Sequence, residues 1–286
     1  FSDVSYKNAT QSNNIHIVTD LFSMTLSNHS GGSIVRYQLV ESDLNGFKHV
    51  GSYAENALYD SIGPVLLNLD LLNSFCSPCL SLDKQGVLLN QPFLFIGDTS
   101  HDTLYVSGGD SIELHYRLEY DLGDYVDKKI RIYGNSYSVE SVFNFNLEGN
   151  YPENNIEISW LSGIMPTELA PVDELTYSSG FVSLEGGLES INQSSIASVD
   201  MAVYNNTTDW FALRNKFFTV ALVPEKSADY SALASKNVIF GEREITPVYS
   251  ALLGYDMVRG ELSFKSYLGP LDVEHIGLFH EDLESI

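Results

Sequence analysis

Apolar side chains recur at every second position over much of this chain, and that feature limits what it can fold into. Phe22, Met24 and Leu26 alternate with Ser23, Thr25 and Ser27. Ile112, Leu114, Tyr116, Leu118 and Tyr120 alternate with Glu113, His115, Arg117 and Glu119. Val139, Phe143, Phe145 and Leu147 share one parity, with Glu140, Asn144 and Asn146 on the other. Ile156, Ile158 and Trp160 repeat the pattern, as do Leu262 and Phe264. A period of two puts each set on one face of a strand. One apolar and one polar face imply antiparallel sheets packed as a sandwich, so the expected fold class is all-β.

Turn chemistry falls between these runs. Asn28-His29-Ser30-Gly31-Gly32, Gly108-Gly109-Asp110 and Asn150-Tyr151-Pro152-Glu153-Asn154-Asn155 separate candidate strands. Gly and Asn in such places supply positive φ at little steric cost. Ser178 to Gly187 reads as a loop. The clearest helical signal is C-terminal. Gly269-Pro270 opens it, with Pro at a first-turn position where its missing N–H matters least. Asp272 and Glu274 suit the positive end of a helix. Val273, Ile276, Phe279, Leu283 and Ile286 recur at helical spacing, which predicts an amphipathic helix over about 270–286. No repeat and no Pro- or Gly-rich linker divides the chain, so residues 1–286 are expected to form a single domain.

Lys and Arg total 15 against 38 Asp and Glu, a formal charge of -23. Such a surface repels polyphosphates and anionic lipid headgroups, which argues against a nucleic-acid partner. Its plain consequence is solubility. No apolar stretch reaches the ~18 residues needed to cross a bilayer. The chain opens on Phe1 rather than Met, as expected of a processed product or an excised piece.

Motifs that carry chemistry are sparse. Cys76-Ser77-Pro78-Cys79 is a C-x-x-C, but Leu80 to Gln85 has no helical period to stabilise a thiolate. With no second Cys pair and no His pair nearby, a tetrahedral zinc site is unsupported. The pair is read as inert, or as a local disulfide in an oxidising compartment. The seven histidines are scattered without metal spacing, and His115 falls on the polar face of its strand. No nucleophile elbow, P-loop or dinucleotide fingerprint occurs. The expectation is no catalytic residue, no metal and no cofactor.

Three stretches carry a family resemblance. The first is Ile15-His16-Ile17-Val18-Thr19-Asp20, then Phe22 to Leu26 and the Gly31-Gly32 turn. The second is Asp209-Trp210-Phe211 through Lys216-Phe217-Phe218 to Ala221-Leu222-Val223-Pro224. The third is Tyr267-Leu268-Gly269-Pro270. Between them, Val126-Asp127-Lys128-Lys129-Ile130-Arg131-Ile132 and Tyr137-Ser138-Val139 add two further matching strands. In order and spacing, from about residue 15 to 286, the chain resembles the periplasmic domain of the YidC/Oxa/Alb family of membrane-protein insertases. Leu44 to Asn90 and Val172 to Asn205 depart from the pattern.

The resemblance implies a β-supersandwich of two large antiparallel sheets closed by a C-terminal helix. It implies a place on the outer side of a bacterial inner membrane, between the first two membrane spans. It implies a scaffold that contacts nascent membrane proteins and the Sec translocon components SecD, SecF and SecY, and not an enzyme. The candidate partner-binding residues lie on the terminal helix: Pro270, Val273, Ile276, Phe279 and Leu283. The alternative is a carbohydrate-binding or mutarotase-like supersandwich. That reading lacks the His acid such enzymes need, since Phe143-Asn144-Phe145-Asn146-Leu147 carries no His. A secreted surface β-protein would also suit the acidity.

Overall fold

A computed structural model of the chain describes residues 13–42, 46, 48–53, 58–69, 77–82, 92–97, 102–119, 123–146, 155–169, 174, 176–185, 187–192, 200–240, 244–256, 258 and 260–286. Its largest element is a nine-stranded antiparallel sheet. One half holds β8 (Leu94–Phe95), β10 (Ser111–Glu119), β11 (Tyr125–Tyr133) and β12 (Ser138–Asn146). The other holds β14 (Ser179–Leu184), β15 (Gly187–Ile191), β17 (Thr208–Arg214) and β18 (Phe218–Pro224). Strand β21 (Gly260–Pro270) joins the halves by pairing with β12 on one side and β18 on the other.

Two five-stranded sheets accompany it. The first has the order β6-β3-β2-β1-β9: Leu66–Leu69, Ser33–Leu39, Phe22–Ser27, Asn14–Val18 and Thr103–Tyr105. Strand β9 runs parallel to β1. The second has the order β16-β19-β20-β13-β7: Asp200–Tyr204, Tyr230–Phe240, Glu244–Tyr255, Ile156–Trp160 and Cys79–Leu82. A small hairpin of β4 (Val50–Tyr53) and β5 (Tyr59–Pro64) stands beside them. The fold is an all-β sandwich closed by a C-terminal helix, as expected; among the described residues a nine-stranded sheet is accompanied by two five-stranded ones.

Alternation does what the sequence requires. Leu114, Tyr116 and Leu118 of β10, Val126, Ile130 and Ile132 of β11, and Leu262 and Phe264 of β21 are buried together in one core. Each side chain of this size, fully removed from water, contributes about 1.5–3 kcal/mol. Strands β14 and β17 pack against β19 and β20, and Gly180 leaves room there for Leu213 and Leu233. The other half packs on the first five-stranded sheet through its Asn28–Gly32 turn. Gly31 and Gly32 have φ of +68° and +93°. A Cβ on Gly32 would lie 2.6 Å from the Ile130 side chain and 2.9 Å from the Tyr116 ring. Glycine is needed there for both backbone and space.

Lys128 shares the inward parity of Val126, Ile130 and Ile132 and is fully buried. Its Nζ donates to the carbonyls of Ser30 at 3.4 Å and Gly32 at 3.3 Å, and lies 5.1 Å from the Phe143 ring centre. The lysine thus ties the Gly-Gly turn of one sheet to the centre of the other. On the outward face of the same strands, Arg117 holds Asp127 through two 2.6 Å bonds, and Glu113, Arg131, Glu140 and Lys265 form a ladder of ion pairs. His115 joins it, 3.3 Å from Asp127.

Two expectations are corrected. Ser178 to Gly187 is no loop: it contains β14, with Val182 buried, and the start of β15. Its Ser and Gly residues mask a strand because Gly180 and Ser183 are packing positions, not turn positions. The terminal helix is shorter than expected. Pro270 ends strand β21 opposite Phe218, helix α1 covers only Val273–Phe279, and a 3-10 turn follows over Glu281–Ser285. Asp272, not Pro270, caps the helix, accepting from the amides of Glu274 and His275 at 3.0 and 3.2 Å.

Burial lowers the Lys128 ammonium from 10.5 to about 7. Between about pH 7 and 10.5 the unfolded chain therefore holds a proton that the folded chain has released. Stability should rise with pH across that window, by at most about 1.4 kcal/mol per pH unit from this group. Below about pH 7 the contribution is flat. Urea unfolding of wild type and Lys128→Met from pH 6 to 10 should give curves that converge as pH rises; parallel curves would remove Lys128 as the cause.

Candidate functional site

The cleft that brings most chemistry together lies beside α1 and has a volume of about 460 Å³. Its apolar lining comes from Val50 of β4, Tyr59 of β5, Val65, the Phe217-Phe218 turn between β17 and β18, and Pro270. Its charged lining divides by element. Lys48 and His49 precede β4, Glu168 sits in the loop after β13, and Asp272, Glu274 and His275 open the helix. The His49 and Phe218 rings are 6.5 Å apart, edge to face. A second cleft of about 350 Å³ borders the same helix through His275, Leu278 and Phe279, with Glu140, Lys265 and Tyr267 opposite.

A buried polar network fixes two walls of the first cleft. The Glu174 carboxylate accepts from the Thr167 amide at 2.8 Å, the Thr167 hydroxyl at 2.8 Å, the Glu168 amide at 3.2 Å and the Asn215 side-chain amide at 2.5 Å. Asn215 in turn accepts from the amides of Phe217 at 3.0 Å and Phe218 at 2.8 Å. One carboxylate therefore holds both the Glu168 loop and the diphenylalanine turn. Burial pushes the Glu174 carboxyl above the usual range, and its bonds from Thr167 and Glu168 oppose that rise. The Leu271 amide donates to the Phe217 carbonyl at 2.6 Å, which attaches the helix start to the same turn.

The five helix residues expected to bind a partner fall into different environments. Pro270 lines the cleft as the last residue of β21. Val273 is 66% exposed. Ile276 and Leu283 are buried in the main core, and Phe279 is half-buried with its ring 5.4 Å from that of Tyr267. Leu278, not singled out by spacing, is 83% exposed. Cys79 is buried at the start of β7 and is disulfide-bonded; Cys76 lies outside the described residues. Among the described residues no cluster of His, Cys, Asp and Glu has metal-holding geometry.

Two stretches that carried the resemblance meet here, since Phe218 pairs with Pro270 across β18 and β21. A family model described as the YidC periplasmic domain matches residues 87–286. The chain belongs to that family. The membrane protein insertase YidC of Chlorobium luteolum is 25% identical over 280 residues, covering 94% of this chain and 44% of the relative. That of Chlorobium limicola is 24% identical over 279 residues, covering 95% and 44%. The chain thus spans under half the length of these YidC relatives. Among solved structures, the Slr1438 protein of Synechocystis superimposes with a TM-score of 0.48 at 9% identity, over 95% of this chain and all of the other. The family-model match begins after the Ile15-to-Ile34 opening, whereas the similarity to the two Chlorobium relatives extends over nearly the whole chain. No helix of the described residues is long and apolar enough to cross a membrane.

Sequence reasoning missed Glu174, Thr167, Asn215 and Glu168 because nothing local marks them; three separate segments must come together before they form a site. Glu174→Ala would strand four donors in a dry interior and should lower the unfolding free energy by roughly 2–5 kcal/mol. Urea unfolding measures this. Glu174→Gln, which keeps an acceptor, should cost less than half as much.

Proposed function

We propose that this domain is the periplasm-facing scaffold of a YidC-type insertase in a bacterial inner membrane, and that it binds polypeptide without catalysis. Its partners in this reading are extracytoplasmic segments of nascent membrane proteins and the Sec components SecD, SecF and SecY. The two clefts that border α1 take the bound segment. Of the three carboxylates lining the first cleft, Asp272 accepts from the helix amides and Glu168 pairs with Lys216 at 3.4 Å, which favours holding over acid–base work. Membership of the YidC periplasmic-domain family and the similarity to YidC insertases support the insertase context.

One observation carries the binding role of the helix. Ile276 and Leu283 anchor the C-terminal segment in the core, while Val273 and Leu278 stay out of it, at 66% and 83% exposure. Leu278 also lines the second cleft, so this part of the helix offers apolar surface where a bound segment would lie.

Val273→Ser with Leu278→Ser, placed in the full-length insertase, should reduce client insertion by roughly tenfold, as loss of two contact residues would. The melting temperature of the domain should not move. Unchanged insertion would overturn the helix as a contact surface. Ile276→Ser is the contrasting variant: it empties a core position and should cost roughly 2–5 kcal/mol of stability.

A further inference from the structure

Among the described residues strand β16 is an open edge of the second five-stranded sheet, and its outward side chains are Met201 and Val203, 70% and 54% exposed. Open edges are normally blunted, because their free N–H and C=O groups invite pairing. Other edges among the described residues are blunted in evident ways. Strands β8 and β9 have two and three residues. Strand β6 pairs with β3 through a register shift. The first three residues of β7 are buried. Strand β15 presents one large apolar side chain, Leu188, beside Glu189.

Among the described residues, strand β16 has neither the shortness, the register shift nor the burial of these edges, and its one charge, Asp200, stands at its end. It pairs with β19 in unbroken register over five residues, Asp200↔Ser235 to Tyr204↔Ser231, and contains no Pro and no Lys. Its cross-strand neighbours on β19 are small: Met201 lies opposite Ala234, and Val203 opposite Ala232. Strand β19 therefore leaves Met201 and Val203 without a bulky cross-strand partner.

We propose that β16 is a docking edge at which an extended, basic polypeptide segment adds as a further antiparallel strand. Main-chain bonds would supply affinity, and alternate apolar side chains would pack beside Met201 and Val203. Charge selects the partner. The chain carries 38 acidic against 15 basic residues, β16 itself begins with Asp200, and Glu189 lies close enough to Tyr204 to act on its hydroxyl. A second copy of so acidic a chain would be repelled, whereas a Lys- or Arg-bearing strand would be drawn in. This surface is separate from the cleft beside α1.

The test uses the chain with a short labelled peptide of alternating valine and lysine, read by fluorescence anisotropy and hydrogen exchange. A control peptide has the same side chains but is N-methylated on alternate backbone nitrogens. The parent peptide should bind and slow exchange in Asp200–Tyr204. The N-methylated peptide should bind roughly tenfold more weakly. Met201→Ser with Val203→Ser, neutral and on the surface, should weaken the parent peptide while leaving the melting temperature unchanged. Equal affinity for both peptides would reduce the effect to charge attraction and overturn the proposal, as would protection confined to another element. Protection of Asp200–Tyr204 that rises with protein concentration in the absence of peptide would assign the edge to a second copy instead, and likewise overturn it.

Discussion

The ladder of β21 is the constraint on which the other features depend. It hydrogen-bonds to β12 along one side and to β18 along the other, and so turns two separately built halves into one nine-stranded sheet. Its inward residues, Leu262 and Phe264, enter the same core as Phe143 and Leu222. Its end places Pro270 opposite Phe218. That pairing brings the start of the terminal helix to the diphenylalanine turn, and the cleft exists because of it.

Two buried ionisable groups show how the interior manages polarity. Glu174 is surrounded by donors and holds two loops in place, so its burial is compensated by directed bonds. Lys128 has only two long bonds to carbonyls and an aromatic ring, and it answers burial by losing its affinity for a proton. Both act as ties between segments far apart in the chain. An apolar residue at either position would pack, but would not specify which backbone atoms it meets.

The surface has a corresponding division. The outward face of β10, β11 and β12 is laced with opposite charges that neutralise one another. The helix and the β16 edge instead present apolar side chains to solvent, in a chain of formal charge -23. A binding domain needs such interruptions, because a uniformly acidic skin repels or is indifferent to most polypeptide.

The alternation at Phe22 to Leu26, Ile112 to Leu118 and Ile156 to Trp160 was enough to establish strands and their buried faces, since parity is a local property of the backbone. The same parity places Lys128 inward with Val126 and Ile130, a signal present in the sequence itself. The motifs around Trp210-to-Pro224 and Tyr267-to-Pro270 were enough to indicate the family. Helix length and the cleft were not legible. Pro270 is strand rather than helix because Phe218 pairs with it, and Ser178 to Gly187 is a hairpin because β17 receives it. Those outcomes depend on which distant strand lies alongside, and long-range pairing is decided by the packing of the whole core rather than by any local run of residues.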